Sequence, residues 1–277
     1  FGISPERQLP SYASKRFSTL FRDYRSSERG PAADAPAVWL YVDPFVEYTE
    51  PEVGKAAVRV LEAGGHRVEI LPVDDDGRTM ISKGLVRKAK KLVDENTETL
   101  ADLLDEHPDR PIVGLEPSAI LTFTDEAPDL AEDRETAERV AELCTTFSEF
   151  VDQACADGAF EADWSPDALP PVIFHGHCHQ KAFVGTDPTR RILEIAGYEV
   201  DVLDTGCCGM AGSFGYEADH HEISMEIGEL VLFPAVRETD SATLIAAPGT
   251  SCRHQIADGT GRSALHPAQL LDRALQS

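Results

Sequence analysis

The sequence predicts an α/β protein made of two duplicated Rossmann-like lobes, each with a small parallel sheet. An internal repeat carries most of that expectation. At a constant offset of 132 residues, Val60–Gly77 (VLEAGGHRVEILPVDDDG) aligns without a gap on Ile192–Gly209 (ILEIAGYEVDVLDTGCCG). Each member reads as the end of an amphipathic helix, a glycine, an alternating Val/Ile/Leu strand and a short loop. The flanks correspond too: AVWLYVDPF precedes the first member as PPVIFHGHC precedes the second, and PIVGLEPSA follows as LIAAPGTSC does. A period this long excludes a solenoid and indicates a duplicated domain of alternating strands and helices. Glycine-bearing loops after the strands lie at the carboxyl edge of each sheet, where such folds bind ligands.

In chain order, residues 1–35 are expected to connect from a preceding domain, 36–165 to form the first copy and 170–277 the second. The opening FGISPERQLPSYASKRFSTLFRDY has no apolar h-region or cleavage site. No apolar run approaches the roughly 18 residues of a membrane helix. A cytoplasmic protein, or a piece of a longer one, is therefore expected. In the first copy, the strand VWLYV, a helix over Glu52–Ala63 and the strand RVEIL bury one face. That leaves the loop at Asp75–Gly77 facing the other lobe, with Asp75 and Asp76 read as a solvated turn and cation binding as the alternative. Between the copies, Val140, Leu143, Cys144, Phe147, Phe150 and Val151 recur at three and four, the core face of one helix. Cys144 and Cys155 read there as small buried hydrophobes. In the second copy, Ile223, Ile227, Leu230 and Val231 stand at core spacing on a helix that Pro234 ends or kinks, with His220 and His221 on its surface.

Of the 277 residues, 49 are Asp or Glu against 25 Lys or Arg, a net charge of -24. A surface so acidic repels nucleic acid and anionic membranes. It also suits high salt, where screening removes the self-repulsion.

The cysteines divide the copies. Cys178, Cys207, Cys208 and Cys252 all fall at strand ends or the loops after them in the second copy. The matching places in the first hold Val46, Asp75, Asp76 and, with one residue of slippage, Ala119. Without signs of export, a metal or redox role is favoured over a disulfide. A loop entering a helix N-terminus lowers a thiol's pKa and offers N–H groups to an anionic cluster. Gly206, Gly209 and Gly212 let the backbone approach a bulky inorganic group. Adjacent cysteines diverge, which suits separate irons of one cluster better than one tetrahedral zinc. An iron–sulfur cluster is thus expected, with zinc, a bare dithiol or an empty site as the alternatives.

HCHQKA, TGCCGMAGSFGYE and GTSCRHQI resemble the cysteine-rich CCG domain family. Those domains occur in one of the heterodisulfide reductase subunits, in iron–sulfur subunits of glycerol-3-phosphate, lactate and glycolate oxidation, and at the end of fused FAD-linked 2-hydroxy-acid oxidases. VDPFVEYTEPEVGKAAVRVLEAGGHRV, GRTMISKGL and IVGLEPSAILTFTDEAPDL resemble the first repeat of the fused proteins, and GISPERQLP their connector after a ferredoxin-like segment. The resemblance implies that Cys178, Cys207, Cys208 and Cys252 hold the cluster. The fuller motif ends in C-x-x-C, but Gly249 stands three residues before Cys252, which favours a four-ligand [4Fe–4S] cluster over a five-cysteine double cluster.

A histidine ligand is one substitute for that cysteine. The other role open to His175, His177 and His179 is a hydrogen bond to a cluster sulfur, which tunes the potential. Arg253 has two roles open: pairing with an anionic substrate or quinone headgroup, or offsetting the cluster's charge. The resemblance implies an electron-transfer module of a flavin-dependent 2-hydroxy-acid dehydrogenase. FAD is expected in another domain, because no G-x-G-x-x-G follows a strand here. The expected partners are flavin-binding and ferredoxin-like domains or subunits, with peripheral contact to a membrane quinone pool. The cluster is expected near the cleft between the lobes, with the first copy as a wall. The rival reading is a zinc-binding or metal-free docking module of the same complex.

Overall fold

The computed structural model describes residues 2–26, 30–165 and 168–275. Phe1 and residues 27–29 of the expected connector lie outside them. The chain divides into two compact units, residues 12–163 and residues 1–11 with 164–277.

In the first unit, β1 (Ala37–Tyr41), β2 (Arg67–Ile70), β3 (Ile112–Gly114) and β4 (Cys144–Thr146) form a parallel sheet in the order β2-β1-β3-β4. The helix Pro51–Ala63 covers it with Val53, Ala57, Val60 and Leu61 turned inward. Within the stretch read as a connector, Phe17–Ser26 is a helix, and Phe17 is fully buried. Its ring occupies the space a side chain at Gly54 would fill, with Cδ2 2.6 Å from the position of a Cβ there.

The second unit has a three-stranded parallel sheet, β5 (Val172–Phe174), β6 (Val200–Val202) and β7 (Leu244–Ala246), in the order β6-β5-β7. This order repeats β2-β1-β3, as the duplication requires. The offset of 132 holds at strand starts: Val68, the second residue of β2, maps to Val200, and Ile112 maps to Leu244. In place of β4, Leu265 makes a single parallel bridge to Ala246. In both units a helix with a capping box follows, Thr146 with Glu149 and His266 with Gln269.

Three local expectations are corrected. The helix read through Cys144 is two helices, Arg134–Leu143 and Phe147–Ala156, with β4 between them. The β-branched Thr145 and Thr146 favour a strand, and Thr146 caps the second helix. Cys155 is half-buried, while the Cys144 thiol is enclosed as expected although its residue as a whole is partly exposed, and burial pushes that thiol up. The helix after the CCG loop, His221–Leu230, buries Ser224 and Gly228, while Ile223, Leu230 and Val231 are exposed. It docks on its small-residue face: a Cβ at Gly228 would lie 2.3 Å from Cζ of Phe233. The helix ends at Leu230, and Pro234 lies inside the next one, Leu232–Glu238.

The third correction concerns the acidic turn. Asp76 is 4% exposed, not solvated. Tyr41 Oη donates to its Oδ2 at 2.8 Å, and Arg78 N donates to its Oδ1 at 2.7 Å. Asp43 and Glu116, which follow β1 and β3, are buried as well. Burial foremost, and then the Glu116 charge, raise the Asp43 carboxyl to about 7, and burial raises that of Asp76 to about 7.

Candidate metal centre

The thiols gather at the carboxyl edge of the β6-β5-β7 sheet. β5 runs into His175, whose N–H donates to Ala246 O of β7 at 2.9 Å and fixes the chain there. Gly176 follows, where a Cβ would stand 2.6 Å from Thr186 Cγ2. His177 then caps the helix Cys178–Phe183: its Nδ1 accepts from His179 N at 3.2 Å, and its own N–H donates to Gln180 Oε1. Cys178 therefore sits in the first turn of that helix, exposed.

After β6 the chain enters the loop carrying Cys207 and Cys208. Cys207 is exposed and Cys208 buried, and yet their sulfurs are in contact. Lys181 reaches over from the Cys178 helix, and its ammonium donates to Thr205 O at 2.6 Å and Gly206 O at 2.7 Å. Gly209 has φ of 96° and stands where a Cβ would be 2.2 Å from Ser224 O, so no other residue fits. Gly206 and Gly212 face open space. Ala211 has φ of 44°, the only non-glycine residue with positive φ among the described residues. Ser224 Oγ closes the loop by donating to Gly209 O at 2.8 Å.

β7 leads to Gly249 and the helix Thr250–Thr260, which buries Cys252. Arg253 is 6% exposed and turned back on the backbone, donating to Ala247 O, Pro248 O and Thr250 Oγ1. His179 lies between the rings of His177 and Phe183, stacked on both. His220 is partly exposed and stacks on Phe214, with its Nδ1 2.9 Å from Glu217 Oε2.

The four sulfurs form one continuous string. Cys178 contacts Cys207, Cys207 contacts Cys208, and Cys208 contacts Cys252. Sharing of thiol protons along the string splits their acidities. Contact with Cys207 pushes Cys178 and Cys208 up. Accepting from Cys178 and Cys208 holds Cys207 well below the usual thiol range, and accepting from Cys208 does the same for Cys252. Two thiols in this string thus favour the thiolate, the form that binds metal.

His175 completes the group. It is fully buried, and a ring nitrogen lies within 4.8 Å of the Cys208 and Cys252 sulfurs, which are themselves within 4.8 Å of each other. Its Nδ1 is 2.6 Å from Thr205 Oγ1, while its Nε2 is buried with no nitrogen or oxygen partner, and the ring is in hydrogen-bonding contact with the Cys252 sulfur. Four sulfurs in a chain of contacts and a buried imidazole beside two of them are a donor set that fits an iron–sulfur group. His177, Cys178 and His179 also offer ligand atoms within 4.8 Å of one another. Sequence reasoning did not single out Lys181, Thr205, Ser224 or Arg7. Arg7 is buried beside the loop: its Nε donates to Gly215 O at 2.7 Å and its Nη2 to Ser224 Oγ at 2.9 Å.

Residues 172–257 match the model of the CCG cysteine-rich domain. The resemblance read from the HCHQKA, CCG and SCRHQ motifs therefore holds. The chain is 29% identical over 276 residues to an anaerobic glycerol-3-phosphate dehydrogenase subunit of Escherichia coli (strain K12), covering 99% of this chain and 67% of that protein. It is 30% identical over 241 residues to D-2-hydroxyglutarate dehydrogenase of the same strain, covering 86% of this chain and 22% of that protein. The corresponding protein of Pseudomonas putida is 27% identical over 254 residues, with 23% of its length covered.

Proposed function

We propose that the chain is an iron–sulfur electron-transfer module of a flavin-dependent 2-hydroxy-acid dehydrogenase, with a [4Fe–4S] cluster held by Cys178, Cys207, Cys208 and Cys252. The single observation that carries this reading is the unbroken string of four sulfurs at the carboxyl edge of the second sheet. When bound, such a cluster takes up and releases one electron at a time. The protein's own task is to hold it: Lys181 and Ser224 fix the backbone of the CCG loop, and the Gly209 N–H donates to Cys207 Sγ at 3.3 Å. That bond stabilises negative charge on a sulfur and so raises the potential of whatever it ligates.

One relative is named as a dehydrogenase subunit, and another as a 2-hydroxy-acid dehydrogenase of far greater length; both names support a partner that carries the flavin. In this reading electrons pass from FAD on that partner, with a ferredoxin-like domain beside it, toward a downstream acceptor at the membrane quinone pool. Among the described residues no helix is long and apolar enough to cross a membrane. The acidic composition, -24 overall, supports work in concentrated salt.

The test is iron and acid-labile sulfide analysis of anaerobically prepared protein. Brown protein absorbing near 400 nm is expected. Changing any of the four site cysteines to Ser should abolish or strongly reduce its iron, while Cys144→Ser and Cys155→Ser retain it. Stoichiometric zinc without sulfide overturns the reading in favour of a zinc-bearing docking module, and equal iron in all six variants overturns the ligand set.

A further inference from the structure

We propose that His175 is a ligand of the metal centre, its Nε2 bonding directly to a metal ion beside the Cys208 and Cys252 sulfurs. The inference rests on the metal-centre reading above and goes beyond it: four cysteines already give each iron of a [4Fe–4S] cluster its terminal ligand, so His175 would be an added ligand on an iron that Cys208 or Cys252 also holds.

Three observations carry it. A fully buried imidazole has an Nε2 with no nitrogen or oxygen partner, and the ring is in hydrogen-bonding contact with the Cys252 sulfur. Folded proteins rarely leave a buried polar atom without a nitrogen or oxygen partner unless something else takes that place. That nitrogen belongs to a ring within 4.8 Å of two buried cysteine sulfurs. Nδ1 is engaged at 2.6 Å by Thr205 Oγ1, and the ring's hydrogen-bonding contact with Cys252 then falls to Nε2. Metal-bound histidines commonly donate their other ring N–H to a neighbouring acceptor, which fixes the tautomer and the ring plane. In the assigned arrangement Nδ1–H donates to Thr205 Oγ1 and the Nε2 lone pair points at the metal. The ring is also held from behind, because the His175 N–H is bonded to Ala246 O across the sheet.

The sibling position in the first unit offers a comparison. The offset of 132 maps His175 to Asp43, whose Oδ2 is likewise buried without a partner. Both copies therefore place a buried atom with no nitrogen or oxygen partner after their central strand, and only the second has thiols beside it.

His177 is the rival donor within the same strand end. Its Nδ1 already caps the helix Cys178–Phe183, and its ring is stacked on His179. The stack and the cap give it a structural task that His175 lacks.

Pulsed electron paramagnetic resonance on the intact, iron- and sulfide-loaded, reduced chain tests the assignment. Iron and sulfide are first measured on the same sample. A sample without them overturns both this inference and the reading it rests on. With the cluster present, the expected result is a strongly coupled nitrogen that changes on [15N]histidine labelling. It should be lost in His175→Ala, be altered in Thr205→Val and persist in His177→Asn, which keeps a capping acceptor. Absence of a histidine-dependent coupling in the unmodified protein, a measurement that needs no variant to fold, overturns the inference alone. So does a coupling that survives His175→Ala or disappears only in His177→Asn.

Discussion

A Cβ placed on Gly249 would lie 2.4 Å from Cδ2 of His177, so one residue's ring fills the space the other's side chain would need. Gly249 is also the position at which the fuller CCG motif carries its additional cysteine. The histidine cannot simply yield, since its Nδ1 is tied to His179 N. Gly249→Ala should therefore destabilise the second unit by about 1–3 kcal/mol through overpacking. Combining it with His177→Ser, which removes the ring and keeps a capping oxygen, should recover most of that loss. Chemical denaturation of the two single variants and the double variant checks this. Additive losses would show that the two positions do not compete for space.

Arg7 lies far from the second copy in sequence but is part of its unit. Its Nη1 pairs with Asp258 at 2.8 Å, its side chain is wholly buried, and Ser4 N bonds to Tyr216 O nearby. Arg7→Met should cost roughly 2–4 kcal/mol, the lower side of a broken buried pair because Asp258 keeps some access to water. It should also loosen the CCG loop through Gly215 and Ser224 and speed loss of iron in air. A chain starting near Pro170 should behave worse still. Should such a chain match the full one in melting temperature and iron retention, the N-terminal strap has no such role.

The parallel strands and their duplication were legible because one hydrophobic pattern occurs twice at the same offset. The thiols were legible because Cys-Cys-Gly at a strand end is rare chemistry in any core. Contacts that depend on approach distance were not. Ser224 and Gly228 face inward because Gly209 and Phe233 come so close that only small side chains fit, and hydrophobic periodicity scores such a face as polar. Asp76 reads as a turn residue in DDDG, yet Tyr41, a residue of β1, draws it inside. β4 was hidden because Cys144 and its neighbours keep a helical spacing, while the break comes from the Thr146 cap. Lys181, Thr205 and Arg7 carry no local motif, and only the fold brings them to the loop.

Net charge sets a salt dependence. At 0.01 M ionic strength the Debye length grows to roughly 30 Å, and the excess of 24 negative charges repels across the whole surface. Melting temperature should rise steadily from low to molar KCl. A curve that stays flat over that range would remove charge repulsion as a determinant of stability.

The buried carboxyls of the first unit set a pH dependence with a definite sign. Asp43 and Asp76 each titrate near 7 in the folded chain, raised chiefly by burial, against about 3.9 when unfolded. Between those values the folded state binds more protons than the unfolded one. Their contribution to stability is therefore complete below about pH 4, falls as pH rises toward 7, and is absent above it. Asp43→Asn removes one titrating group and retains the Oδ1 that accepts from Phe45 N and Val46 N. The variant should be more stable than the parent at pH 8, by roughly 1–3 kcal/mol, with the difference shrinking toward pH 5. Hydrogen exchange of amides in β1 and β3 reports this unit separately from the other. Asp75→Ala and Asp76→Ala should leave iron content unchanged, since every thiol of the proposed centre lies in the second unit. Exchange profiles of Asp43→Asn and parent that stay parallel from pH 5 to 8 would mean that Asp43 is ionised throughout and satisfied some other way.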